Sequence, residues 1–396
     1  MLNMDQAQDR FGPTNAQLQA FKPGARCQVT AFLRRIESYL PSPLRRPLRR
    51  ALKAVWWIVT PWRIPARLRY LRTPEAARAI ELDYSVAVPL GFPVAPVPSG
   101  RVAAIVHLYY EELAGEIRAY LEEVPFALDV HVSTRDERSK SVVEQAFNGW
   151  RGGTVAVRVA PNQGRDIASK LLTFRDVYSH YDYALYIHGK ISRHSRALAP
   201  WRHYLFESLC GSADIVKSVM TIFQQSPRVG LIAAQHFEPI RHWINWGNNF
   251  KKAHELARRM GFELDRDGPL DFPSGSMFWA RTASLQPLLD LNLSLNEFPK
   301  ETGQTDGTPA HAIERLFFHV CEYAGYDWIK IARPEFATST PSIVTLNEPA
   351  DLDVFLQRHV FHLLAPGDVR PRLQRLKPIE QSSPMLDEVV RSRFSK

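Results

Sequence analysis

A chain of 396 residues and 45.2 kDa, 45% hydrophobic and 23% charged, is long enough to bury a large core and has the balance of a globular protein. Cys27, Cys210 and Cys321 are too few and too widely spaced for a disulfide framework or a zinc pattern, which points to a reducing compartment. No apolar run reaches the roughly 18 residues of a spanning helix, and MLNMDQAQDR lacks the basic start and apolar core of a signal peptide, so neither a membrane span nor export is expected.

The formal charge of +9 is concentrated in one segment. Between Ala31 and Glu75 there are eleven Lys/Arg against two Glu, leaving 39 basic and 39 acidic residues elsewhere. The same segment holds AVWWIVTPW, Ala54 to Trp62, an apolar patch flanked by arginines. Basic residues beside interfacial tryptophans suit an anionic membrane surface; a basic helical arm packed on the main domain, or a linker, is the alternative. Nucleic acid is not expected, because the neutral remainder carries no reader motif.

Leu82 to Gly100 contains four prolines and two glycines, which discourage regular structure and place a boundary near Gly100. Three regions follow: an arm over 1–100, a main domain over 101–335 and an extension over 336–396. From Arg101 short apolar runs alternate with helical periodicity: RVAAIVHLYY, then ELAGEIRAYLEEV; FALDVHVST, then RSKSVVEQAFNGW; GTVAVRVAP, then DIASKLLTFRDVYSHY; and YALYIHGK. This pattern predicts an α/β fold, a mostly parallel sheet with helices on both faces. A helix from Trp201 to about Gln225, the strand RVGLIAAQ, a helix around NFKKAHELARRMG, the strand in FPSGSMFWAR and the helix AHAIERLFFHVCEY complete the domain.

Ligands of open α/β sheets bind beyond the carboxyl ends of the strands, so His107 to Tyr110, Ser133 to Arg135, Asn162 to Asp166 and His188 to Lys190 are the residues to interrogate. In PNQGRD, Gly164 supplies a turn, Asp166 is placed to cap a helix beginning at Ile167, and Arg165 beside free backbone N–H groups suits a phosphate or diphosphate; ordinary turn chemistry is the alternative. His188 and Lys190, two residues apart on a pleated strand, point the same way, and with Arg165 they would line one rim with positive charge. In FPSGSMFWAR, Ser274 and Gly275 form a turn, and Trp279 is a candidate sugar or base platform. The loop FPKETGQTDGTPAHAIER gathers Glu301, Asp306, His311, Glu314 and Arg315, with Thr308 as N-cap and Pro309 at the first helical position. His311, Glu314 and Arg315 share a helical face, where a hydrogen-bonded or ion-paired cluster is the reading preferred over a metal site.

Taken in order, HLYYEEL, NQGRDI, LYIHGKIS, WRHYL, LCGS, PSGSMFWAR and ETGQTDGTPAHAIER resemble the rhamnan synthesis protein F family of bacterial polysaccharide glycosyltransferases, over about Arg101 to Glu335. The resemblance implies a GT-A-like domain that moves a sugar, rhamnose or another deoxyhexose, from a nucleotide donor such as TDP-rhamnose or a GDP-sugar. The implied acceptor is a polyprenyl-linked cell-surface glycan, with the enzyme cytoplasmic and peripheral at the inner face of the plasma membrane; the basic segment 31–75, outside the resemblance, would hold it there. It also implies donor contacts from His107, Tyr109, Asn162, Gly164, Arg165, Asp166, His188, Lys190, Ser274, Gly275 and Trp279, and an acceptor-side or structural cluster of Trp201, Arg202, His311, Glu314 and Arg315. His188-Gly189-Lys190 stands where such domains carry Asp-x-Asp, so no metal is expected; Mg or Mn is the alternative. A base is expected at Asp306, with Glu301 second. A non-catalytic carbohydrate-binding or assembly subunit with a degenerate transferase fold is the rival reading; an oxidoreductase is disfavoured by the lack of G-x-G-x-x-G after the first strand.

Overall fold

A computed structural model describes residues 84–94, 98–189, 198, 200–301, 306–336, 343–364 and 368–369. Its centre is a nine-stranded sheet in the order β4-β3-β2-β5-β7-β6-β8-β1-β9. The strands are β1 (Ser85–Ala87), β2 (Val102–Leu108), β3 (Asp129–Thr134), β4 (Val155–Val159), β5 (Tyr183–His188), β6 (Val229–Ala234), β7 (Phe278–Arg281), β8 (Asp327–Ala332) and β9 (Ile343–Val344). Every pairing is parallel except those of β7, which runs antiparallel to both β5 and β6. β5, β6 and β8 are buried along their whole length, as expected of strands covered on both faces, and their apolar runs carry no alternation.

The helices are α1 (Ala114–Glu122), α2 (Glu137–Ala146), α3 (Arg165–Ala168), α4 (Trp201–Cys210), α5 (Ala213–Gln225), α6 (Phe250–Met260), α7 (Gln286–Leu289), α8 (Pro309–Tyr323) and α9 (Ala350–Arg358). They pack among themselves in two groups, α1 with α2 and α4 and α4 with α5, against α8 with α3, α6 and α7. A right-handed crossover between parallel strands puts the connections β2-α1-β3 and β3-α2-β4 on one face and the return from β4 to β5 on the other. Local chemistry sets the ends. Asp136 accepts the Ser139 N–H at 2.7 Å to start α2, Ser212 caps α5, and Thr308 caps α8 with Pro309 in its first turn.

The sheet outgrows the limits expected from composition. β1 lies within the proline-rich stretch assigned to the arm and pairs with β8, Val86 opposite Ile331, while β9 lies beyond residue 335 and pairs with β1. These strands have three and two residues, too few to outweigh the surrounding prolines in a sequence pattern. The basic segment over 31–75 lies outside the described residues, as does Lys190. Among the described residues no helix is long and apolar enough to cross a membrane.

Candidate active site

A cleft of about 480 Å³ opens at the carboxyl ends of β2 and β5, lined from four loops and the start of α8. β2 contributes His107 and the loop after it Tyr109 and Tyr110; the loop after β4 contributes Asn162, and the start of α3 Arg165, Asp166 and Ile167. His188 ends β5, Gly275 and Ser276 precede β7, and Glu301, Ala310, His311 and Glu314 close the far side. This is the position a parallel sheet offers a ligand, and the volume falls within the range of small-molecule sites.

The loop Asn162 to Asp166 is folded by its glycine and by a glutamine. Gly164 is left-handed, φ +71°, and a Cβ there would lie 2.6 Å from both the Ala168 Cβ and the Phe298 ring. Gln163 Nε2 donates to the carbonyls of Leu295 at 2.9 Å and Phe298 at 2.5 Å, and a bridge joins Gln163 to Lys300. That brings Glu301 beside Arg165, with Oε2 3.5 Å from Nε. Arg165 itself has φ +55°, a sparsely populated conformation for a residue with a side chain, as does Ser276 at +56° across the cleft. The helix is capped by Gly164 and starts at Arg165, so Asp166 is a first-turn residue and not the cap expected. In place of a continuous helix, α3 gives way after one turn to a π-helical segment, Ser169–Thr173.

That segment carries Lys170, 2% exposed, whose Nζ donates to Asp166 Oδ2 at 2.8 Å and to the Ser276 carbonyl. Asp166 is held well below the usual carboxylate range; desolvation opposes this, and the neighbouring Lys170 ammonium above all outweighs it. His188 Nε2 donates to the Gly275 carbonyl at 2.6 Å and lies 3.8 Å from Asp166 Oδ2. Ser133 donates to the Val106 carbonyl, which leaves its oxygen to accept from His107 Nδ1 at 3.0 Å. Burial pushes His107 down to about 4, so its ring is neutral at pH 7.

Of the expected cationic rim, Arg165 and His188 line the cleft and Lys190 lies outside the described residues. Among the described lining residues the charges are mixed: Arg165 faces Asp166, Glu301 and Glu314. His107 is neutral because burial under the loops removes the water that would keep an imidazolium charged, and His188 donates to a backbone carbonyl.

Several other expectations move. Trp279 is fully buried and donates Nε1 to the Leu209 carbonyl at 2.9 Å, so it is core and not a platform. Ser274 sits behind the cleft, within 3.0 Å of His236 Nδ1; His236 Nε2 is 2.9 Å from Asp271 Oδ1, and Lys330 Nζ meets Asp271 Oδ2 at 2.5 Å. This buried network anchors the turn Ser274 to Ser276, and sequence reasoning passed over its three partners. Gly275, φ +85°, packs against Trp201 and Leu205, which makes Trp201 the underside of the same turn. Arg202 points elsewhere and pairs with Glu116 of α1 at 2.9 Å.

On α8, His311 and Glu314 reach the cleft, while Arg315 turns away and donates to the Asn245 carbonyl at 2.9 Å. Glu314 Oε1 accepts the Gly275 N–H at 3.1 Å. Asp306 is outside the cleft lining: its carboxylate accepts from Asn248 N–H at 2.9 Å and Asn249 Nδ2 at 2.5 Å. These donors and Arg315 hold Asp306 below the usual carboxylate range against desolvation, its largest single influence. Among the described residues no group of three or more His, Cys, Asp or Glu is arranged to hold a metal ion.

The model of the family described as rhamnan synthesis protein F matches residues 91–326. The chain belongs to that family. Two relatives named "Uncharacterized protein WxcX", from strains B100 and ATCC 33913 of Xanthomonas campestris pv. campestris, are 31% and 30% identical to it over 279 residues. Those matches cover 70% of this chain and 38% of each relative, so the chain spans well under half the length of these proteins.

Proposed function

We propose that this protein is a glycosyltransferase of polysaccharide synthesis, moving a sugar from a nucleoside diphosphate donor to a glycan hydroxyl. Family membership supports the polysaccharide role, and one structural observation carries the enzymatic reading. A cleft at the carboxyl end of a parallel sheet combines a guanidinium on a strained turn with carboxylates held at fixed positions on the facing loops.

In this reading Arg165 engages the diphosphate, with Lys190 as a second cation, and Tyr109 and Asn162 flank the nucleotide. The acceptor oxygen forms its bond to the anomeric carbon as the carbon to diphosphate bond breaks, and the electron pair leaves with the nucleotide. Glu314 is assigned the base. One of its oxygens is fixed by Gly275 N–H, and the other is 3.7 Å from Arg315 Nη1, beyond hydrogen-bond reach and available for the acceptor proton. Asp306, the first expectation, is a weaker candidate because backbone and amide donors already occupy its oxygens. Glu301 remains second. His188-Gly189-Lys190 stands at the end of β5 in place of Asp-x-Asp, so the leaving charge is assigned to fixed cations. Rhamnose or another deoxyhexose, a TDP or GDP donor and a polyprenyl-linked acceptor are assigned by analogy with the family description. Residues 31–75 would hold the enzyme on an anionic membrane.

The test is transfer from TDP-rhamnose and GDP-deoxyhexoses to lipid-linked acceptors, with and without EDTA, on wild type, Glu314→Gln, Glu301→Gln and Asp306→Asn. Glu314→Gln is expected to lose about 10²- to 10⁴-fold in turnover, the range of a general base. Normal turnover of that variant removes the base assignment, and donor binding with no transfer by wild type favours a carbohydrate-binding subunit. Loss of transfer in EDTA that only Mg or Mn restores overturns the metal-free mechanism.

A further inference from the structure

We propose that Asp166 reads a hydroxyl group of the transferred sugar and that the buried Lys170 is the positioning residue that holds it for this task; the inference rests on the donor-site reading above. Asp166 lines the cleft, yet only one of its oxygens is engaged. Oδ2 takes Lys170 Nζ at 2.8 Å with His188 Nε2 at 3.8 Å, whereas Oδ1 has no hydrogen-bond partner among the described residues. An ionised carboxylate only accepts, so this oxygen calls for a donor from the ligand.

Three kinds of donor are open to it, and charge selects among them. The Asp166 charge is already balanced by an internal ammonium 2% exposed, so a cation is not required. An ionised oxygen of a diphosphate or a sugar acid has no proton to donate to this acceptor. A neutral hydroxyl fits, because O–H to carboxylate hydrogen bonds are short and charge-assisted. A diphosphate on Arg165, the adjacent residue, would leave the sugar within reach of Asp166.

Lys170 explains how the oxygen is aimed. Its ammonium joins Asp166 on one cleft-lining loop to the Ser276 carbonyl on the opposing one, and the π-helical segment carries it beneath both. Rotation of Asp166 would break that link. Sites built to hydrogen-bond a substrate hydroxyl discriminate strongly against analogues without it, so Asp166 would contribute to sugar selection as well as affinity.

The experiment is calorimetric titration of TDP against TDP-rhamnose, and of GDP against a GDP-deoxyhexose, into wild type, Asp166→Asn and Asp166→Asn/Lys170→Met. The double variant removes both charges and guards against misfolding of the single one; circular dichroism verifies both folds. Wild type is expected to bind one nucleotide sugar more tightly than its nucleoside diphosphate. In both variants this sugar increment should fall about ten-fold or more, with affinity for the diphosphate changed by less than about three-fold. A retained increment in the folded variants, or no increment in wild type that binds the diphosphate, overturns the hydroxyl assignment alone. Wild type that binds none of the four ligands overturns the donor-site reading and this inference with it.

Discussion

Replacing Lys170 by methionine isolates the energetics of the cleft. The side chain is 2% exposed and its partner carboxylate 15%, so neither is screened as a surface pair would be. Removing one member of a buried pair costs about 3–5 kcal/mol, because the other charge is left uncompensated, and the Ser276 carbonyl loses its donor as well. A domain stable by about 5–15 kcal/mol would survive, weakened. Asp166→Asn alone strands the ammonium and should cost a similar amount. The double variant removes both charges at nearly the same shape and should return to within about 2 kcal/mol of wild type. Urea denaturation of all four proteins at pH 7, closed as a double-mutant cycle, is then expected to give a coupling of about 3 kcal/mol or more. Additivity of the single changes to within about 0.5 kcal/mol would refute the claim that the two groups form one unit.

Gly164→Ala places a Cβ 2.6 Å from Phe298 and Ala168 at φ +71°, and should lower stability by about 2–5 kcal/mol in a urea titration. Stability should also fall with acid: burial pushes His107 and His319 each down to about 4 from 6.5, so between those values the unfolded chain binds protons that the folded chain refuses. The contribution of the two neutral rings is complete above pH 6.5 and is lost as pH falls towards 4, at up to about 3 kcal/mol per ring. A urea midpoint that holds or rises from pH 7 to pH 5 would contradict this. Glu301→Gln removes the carboxylate 3.5 Å from Arg165 and should tighten nucleoside diphosphate binding about five-fold in calorimetry, since the pair is partly exposed and its charge only partly felt; weaker binding would mean Glu301 itself contacts the ligand.

The layered fold was legible because β2, β3 and β5 are apolar runs punctuated by helical periodicity, and the turn of Asn162 to Asp166 announced itself through its glycine. What escaped was anything decided by long-range pairing. His236, Asp271 and Lys330 are scattered along the chain and meet only because β6 and β8 pair in register, Ala233 opposite Lys330, and bring the turn before β7 to them. Trp279 was misassigned because a tryptophan beside a glycine turn reads alike whether its face meets solvent or α4, and only burial distinguishes the two. Lys170 left a single trace, its i+4 spacing from Asp166, which ordinarily marks a solvated helical pair of little consequence.

The end of β5 shows how the same residue types serve a different purpose once packed. A histidine where related architectures carry a carboxylate suggests a cation aimed at a departing diphosphate, but His188 is 5% exposed and spends its N–H on the Gly275 carbonyl. The histidine therefore ties the sheet to the turn before β7, and the cation that balances Asp166 arrives from beneath, through a π-helical segment. Among the described residues Asp166 with Lys170 and Glu301 with Arg165 are near-neutral pairs, and on the proposed donor-site reading an anionic ligand would bind by exchanging partners, displacing Glu301 from Arg165.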